Sequence, residues 1–109
     1  MENDLVNHPT HYRTKNGLET IDVIEAFTDG LNGLEATHTG NVLKYMCRWK
    51  KKNGLIDLKK ARWYLDRLIE QVEKAELDAA YRKQVEYQDY LYKLGLEALE
   101  KEREDRHEN

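Results

Sequence analysis

One cysteine, one proline and one phenylalanine are all that this 109-residue chain holds of each. A lone Cys47 can close no disulfide within the chain, and because it falls inside a helical pattern it reads as a buried structural thiol. Pro9 lies too near the start to interrupt any later helix. Apolar runs are short as well, far below the roughly 20 residues that cross a bilayer, and mean hydropathy is −0.93. The opening Met1-Glu2-Asn3-Asp4 has neither the basic end nor the apolar stretch of a signal peptide, so a cytoplasmic protein that meets no membrane is expected. Several chemical motifs are missing too: the phosphate-cradling Gly-x-x-x-x-Gly-Lys-Ser/Thr loop, the dinucleotide Gly-x-Gly-x-x-Gly, Gly-x-Ser-x-Gly and His-Glu-x-x-His. Any phosphate chemistry must then come from helix side chains.

Charge is what the chain has in abundance, at 36% of residues for a net of −3. Its distribution is uneven. Between Asn41 and Arg67 nine Lys or Arg face two Asp, a local +7 that leaves −10 for the remainder. A basic island in an acidic protein suits one bound anion better than the broad cationic surface that grips nucleic acid by counterion release.

Four segments follow from periodicity and turn signals, giving an all-α fold. Residues 1–17, with Asn7-His8-Pro9-Thr10-His11-Tyr12 and the turn pair Asn16-Gly17, read as an irregular arm. A short helix over 19–28 carries Ile21, Ile24 and Phe27 at helical spacing, and Gly30, Asn32 and Gly33 close it. A second helix starts at Thr37 or Asn41 and runs to Lys52, burying Val42, Met46 and Trp49, with Asn53-Gly54 as its stop. A third starts near Asp57, where Leu58, Ala61, Leu65, Leu68, Val72 and Ala75 alternate by three and four as a packing seam. Beyond Ala75 the chain turns rich in Tyr (81, 87, 90, 92) and in opposite charges four apart: Asp78/Arg82, Asp89/Lys93, Glu97/Lys101 and Glu102/Arg106. That is an exposed long helix suited to contacts with a second copy, fraying from Glu104. The expected organisation is an arm over 1–17, a helical core over 18–75 and an oligomerising helix over 76–109.

The basic residues are not scattered over their helices. Asn41, Lys44, Arg48 and Lys52 form one stripe, and Asp57, Lys60, Tyr64 and Arg67 another, so an antiparallel pair joined at Asn53-Gly54 brings both onto one groove. Arg grips phosphate oxygens in bidentate fashion and Lys neutralises them as a point charge. For Lys50, Lys51 and Lys52 a plainer role suffices, since cations in a last helical turn complement its dipole. The arm offers two histidines and a tyrosine, which give donors, acceptors and a stacking face for a flat heterocycle. They can equally cap a helix and pack on the core. A zinc site using His38 or Cys47 lacks the usual close-spaced ligand pairs, and no metal ligand is assigned.

At these residues a resemblance appears. Val6-Asn7-His8-Pro9-Thr10-His11-Tyr12, Ile21-Asp22-Val23-Ile24-Glu25-Ala26, Gly40-Asn41-Val42-Leu43-Lys44-Tyr45 with Arg48, and Lys52-Asn53-Gly54-Leu55 with Asp57-Leu58-Lys59-Lys60-Ala61-Arg62-Trp63-Tyr64-Leu65 resemble the small SaV-like proteins of tailed bacteriophages, often labelled nucleotide kinase-like. It covers residues 6–72 and stops short of the Tyr-rich tail. The resemblance implies a phage protein of the host-cell cytoplasm, a homo-oligomer, and in at least one relative the phosphorylation of deoxynucleoside monophosphates without a P-loop. Most of the family has no assigned activity. Carried over by position, it implies His8, His11 and Tyr12 for base or sugar, and Asn41, Lys44, Arg48 and Lys60 for phosphates, with Tyr45 and Tyr64 lining the pocket. Lys44, Arg48 and Asp57 are the catalytic candidates. No cofactor is called for, and Mg²⁺ stays open, with Asp22, Glu25 or Asp57 available to it. Two other classes compete: a non-catalytic binder that sequesters a host nucleotide signal, and a helical protein that contacts an acidic host partner.

Overall fold

The computed structural model describes residues 6–108. Three α-helices follow a folded arm: α1 over Thr20–Thr28, α2 over Gly33–Arg48 and α3 over Leu55–Glu108. No strand forms among the described residues, apart from an isolated antiparallel bridge between Arg13 and Glu19. The all-α expectation holds.

The arm is more ordered than its composition implies. Residues 1–5 of it lie outside the described residues. Thr10–Tyr12 make a 3₁₀ turn, after which the Thr14 hydroxyl donates to the Leu18 carbonyl at 2.7 Å, and Gly17 takes the left-handed φ of 84° that the reversal requires. The buried Thr20 then donates its hydroxyl to the Tyr12 carbonyl at 3.4 Å. Arm and α1 are thereby tied.

Helix α2 begins earlier than its apolar pattern indicates. Asn32, read above as part of a stop, is its N-cap: Oδ1 accepts from the Glu35 N–H at 2.9 Å, and Glu35 Oε1 accepts from the Asn32 N–H at 3.1 Å. This reciprocal capping box satisfies two backbone donors and outweighs the poor helix propensity of Gly33, Thr37, Thr39 and Gly40. At its other end α2 tightens into a 3₁₀ turn over Trp49–Lys51. Gly54, at φ 56°, returns its N–H to the Trp49 carbonyl at 2.7 Å, and α3 starts directly after it.

The chain divides between Gln71 and Val72 into two units. In the first, α1 packs on α2, and Tyr45 of α2 stacks on Tyr64 of α3 with centroids 5.9 Å apart at 17°. Its interior is unusual, since among the described residues the buried apolar ones are only Tyr45 and Ala61, accompanied by Thr20, Arg48 and Asp57. The expected core stripes are only partly covered: Ile24, Val42, Leu58 and Leu68 are half-buried, whereas Ile21, Phe27, Met46, Leu65 and Val72 are exposed. Three short-linked helices of one chain supply too few layers to enclose them.

The second unit is helix alone. Every residue from 72 to 107 is exposed. Two of the four expected charge pairs close, Asp89–Lys93 at 3.0 Å and Glu102–Arg106 at 3.6 Å, while Arg82 turns its Nε to the Asp78 backbone carbonyl. The helix extends through Glu108, and Asn109, the last residue of the end expected to fray, lies outside the described residues.

Candidate functional site

The site is built around one buried carboxylate. Asp57 stands in the first turn of α3 with no solvent exposure, and both of its oxygens are occupied. Oδ2 accepts from Arg48 Nε at 3.3 Å and from the Asn53 N–H at 3.3 Å; Oδ1 accepts from Arg48 Nη2 and Asn53 Nδ2, each at 3.2 Å. Burial by itself would raise the Asp57 pKa, but these hydrogen bonds outweigh it and hold the carboxyl below its ordinary value. Arg48 mirrors this: burial works against its charge, yet the bonds to Asp57 and Tyr12 hold its pKa above the usual arginine value. The pair locks the end of α2 to the start of α3 across the Asn53-Gly54 turn.

This geometry changes the reading of two candidates. Arg48 was expected to grip phosphate and Asp57 to catalyse or to hold Mg²⁺. Instead each is committed to the other, because pulling the guanidinium toward a ligand would leave a carboxylate charge buried without compensation. Arg48 makes one further hydrogen bond among the described residues, Nη1 donating to the Tyr12 hydroxyl at 2.7 Å. Asp57, Arg48 and Tyr12 therefore form a chain that runs from α3 through α2 to the arm.

The remaining candidates separate into those that meet and those that do not. Tyr45 is a meeting point: Lys44 Nζ lies 4.5 Å from its ring centroid, the Arg48 guanidinium carbon 4.8 Å and Lys60 Nζ 5.5 Å, with Tyr64 stacked beside it. Among the described residues no carboxylate pairs with Lys44 or Lys60. Lys44 also lines a cleft of about 350 Å³ between the arm and α1, whose walls include Tyr12, Thr20 and the apolar Pro9, Ile21 and Ile24. His8 borders this region through a bond from Nδ1 to Glu19 Oε1, at 2.7 Å, and Glu19 itself lines the cleft. His11 sits 4.1 Å from the Tyr12 ring. Partial burial, then the charges of Lys52 and Arg48, lower its pKa, with Asp57 opposing. Asn41 does not join the group, since its amide donates to the Thr37 carbonyl of its own helix at 3.0 Å.

Three features escaped the sequence reading. Lys51, assigned only to the helix dipole, donates to the Arg13 carbonyl at 3.0 Å and so fastens the arm. Cys47, expected to be buried, is exposed, because it opens on a cleft between α2, the arm and the start of α1. His38 carries a buried Nδ1 with no hydrogen-bond partner, its ring 6.1 Å from Tyr64. A His on a half-apolar helix face gives no sequence signal for that. Among the described residues no three His, Cys, Asp or Glu side chains gather as a metal site, and no helix is long and apolar enough to cross a membrane.

Residues 6–66, more than half of the chain, match the family model described as protein of unknown function, DUF3310, and the chain belongs to that family. The matched span takes in the arm, α1, α2 and the Asp57 and Tyr64 turns of α3, and it ends before the second unit. The family description names neither a kinase activity nor a phage origin. No curated protein matches the chain, and no solved structure does.

Proposed function

Starting from DUF3310 membership, we propose that the protein binds nucleotides, with phosphates on Lys44 and Lys60 beside Tyr45 and the base and sugar in the cleft under the arm. We further propose that it transfers a phosphoryl group to a deoxynucleoside monophosphate without a P-loop. The observation that carries this reading is the pair of lysine ammoniums against one tyrosine ring, neither matched by a carboxylate among the described residues, one of them opening on a 350 Å³ cleft. A partly apolar cleft beside cations that no described carboxylate pairs fits a nucleoside phosphate better than a simple anion or an acidic peptide. The resemblance to the nucleotide kinase-like phage proteins supports the activity.

In such a reaction an oxygen of the monophosphate attacks the terminal phosphorus of a nucleoside triphosphate. A new P–O bond forms as the bond to the bridging oxygen breaks, the electron pair leaves on the β-phosphate, and two diphosphates result. Alignment and neutralisation of the equatorial oxygens are the protein's task. Lys44 and Lys60 serve neutralisation, while Arg48 acts at one remove by holding Tyr12. With both Asp57 oxygens occupied, Mg²⁺ in this reading arrives on the phosphates of the nucleotide.

One observation favours a second reading. The internal commitment of Arg48 and Asp57 removes the two groups best suited to catalysis, which suits a binder that sequesters a nucleotide and converts nothing. Incubating the protein with mixed deoxynucleoside mono- and triphosphates, with and without Mg²⁺, and following diphosphates by chromatography separates the two. Diphosphate formation supports transfer; saturable binding without it leaves the binder; absence of binding removes both.

Self-association through α3 beyond Val72 belongs to the same proposal. Its support is the thin interior of the first unit and the wholly exposed helix of the second, surfaces that a second copy would cover.

A further inference from the structure

Tyr12 is the wall of two clefts. On one side lies the cleft lined by Lys44; the other is about 280 Å³ and shares Tyr12, Glu19 and Thr20 with the first. Leu18 and Val23 give the second cleft an apolar lining, and Arg13 and Lys51 bring two cations to it. No carboxylate among the described residues pairs with either cation, and Glu19, the acid of the shared wall, is bonded to His8. Lys51 is nonetheless held in place, because one of its three donors goes to the Arg13 carbonyl at 3.0 Å.

The register of α2 and its terminal turn explains the arrangement. Lys44, Arg48 and Lys51 follow at intervals of four and three and so share one face. The middle cation is neutralised by Asp57 and holds the Tyr12 hydroxyl, hence the partition. The outer two, roughly 10 Å apart along the axis at about 1.5 Å per residue, line different clefts. Each cleft thus combines Tyr12, apolar side chains and at least one cation that no described carboxylate pairs, the same recognition chemistry twice.

We propose that the second cleft is a second nucleotide subsite, taking a nucleoside phosphate with its heterocycle against Leu18, Val23 and the Tyr12 wall and its phosphate on Arg13 and Lys51. This rests on the proposed nucleotide-binding function and deepens it: a transfer reaction needs two nucleotides held at once, and a sequestering protein needs one. The partition keeps the two apart while Arg48 keeps the partition upright.

The test counts bound nucleotides on the full chain. Equilibrium dialysis with each of the four deoxynucleoside monophosphates, together with ATP whose β,γ bridge is a non-hydrolysable methylene, should reach two nucleotides per chain for at least one combination. Arg13→Gln, which leaves the backbone carbonyl that Lys51 uses, should reduce this to one over the same range, a loss of about ten-fold or more in the weaker affinity. Val23→Phe, which fills the second cleft, should do the same, and Lys44→Ala should remove the other nucleotide. Melting curves confirm that each variant is folded. One nucleotide per chain in the wild type, or two retained in both Arg13→Gln and Val23→Phe, overturns the second subsite and leaves the first intact. No nucleotide bound at any concentration overturns the functional reading along with it.

Discussion

The two units of this chain spend their residues in opposite ways. Up to Gln71, irregular connections, two 3₁₀ turns and three helices converge on one buried ion pair, and the largest fully buried side chain is Asp57. From Val72 on there is one uninterrupted helix whose side chains are all exposed through His107. Charge is dense in both, but its consequence depends on burial. In the first unit a charge removed from water must find its partner and thereby sets the geometry; in the second, pairs such as Asp89–Lys93 are screened by solvent and contribute a few tenths of a kcal/mol each, roughly 0.3 to 0.5. The same residue types build a site in one place and a solvated surface in the other.

Breaking the buried pair should give the largest effect. Asp57→Ala strands the Arg48 guanidinium and frees the turn at Asn53, so Tm in thermal unfolding should fall by more than about 10 °C. Asp89→Ala, its solvated counterpart, should move Tm by less than about 2 °C. Equal shifts would erase the distinction between the units.

Next comes affinity. Charge-assisted hydrogen bonds are worth roughly 1.5 to 3 kcal/mol, so Lys44→Ala and Lys60→Ala should each weaken nucleotide binding by about ten- to a hundred-fold in calorimetry. Lys93→Ala in the second unit should leave it unchanged. A loss shared by all three lysines would mean diffuse attraction in place of a defined phosphate grip.

The tail should respond in a different observable. Leu91→Glu with Leu94→Glu puts charge among exposed apolar side chains of the second unit, and the particle mass in light scattering should drop while helicity by circular dichroism stays within about a tenth of its starting value. An unchanged mass would remove this helix from subunit contacts.

The smallest effect is a pH slope. Because the His11 pKa is lowered in the folded protein, the unfolded chain takes up the proton first as pH falls. The contribution of neutral His11 is therefore complete above about 6.5, the ordinary histidine value, and is lost between that pH and the lower folded value. Urea midpoints should decline from pH 7.5 to 5.5 more in the wild type than in His11→Gln. Asp57 acts only in a more acidic window, since its lowered pKa gives a contribution that is full above about 3.9 and fades as pH drops toward the folded value. An identical slope in both proteins would show that His11 is as free in the folded chain as in the unfolded one.

The elements of the first unit were legible to different degrees. Helix α1 and the Asn53-Gly54 turn stand where spacing and turn chemistry place them, and the three- and four-residue alternation from Leu58 is indeed helical. The start of α2 was misplaced because a pattern of apolar side chains was weighed above Asn32 and Glu35, whose spacing of three is itself a helix-start signal. The pairing of two of the site's principal charges was not legible for another reason. A sequence shows that Arg48 and Asp57 are charged and near a turn; it does not show which of eleven charges between residues 41 and 67 leaves water.

Local periodicity and turn chemistry by themselves determined that this protein is helical and that a turn falls at Asn53-Gly54, since those follow from interactions a few residues apart, and composition alone places its positive charge between Asn41 and Arg67. Only the tertiary structure decided that Arg48 serves Asp57 and Tyr12, that Lys44 and Lys60 meet no carboxylate among the described residues, and that Tyr12 lines two clefts. Those outcomes turn on desolvation: closing α2 against α3 buries Asp57, a buried carboxylate must take the nearest guanidinium, and the lysines that remain in reach of water are left to whatever anion binds.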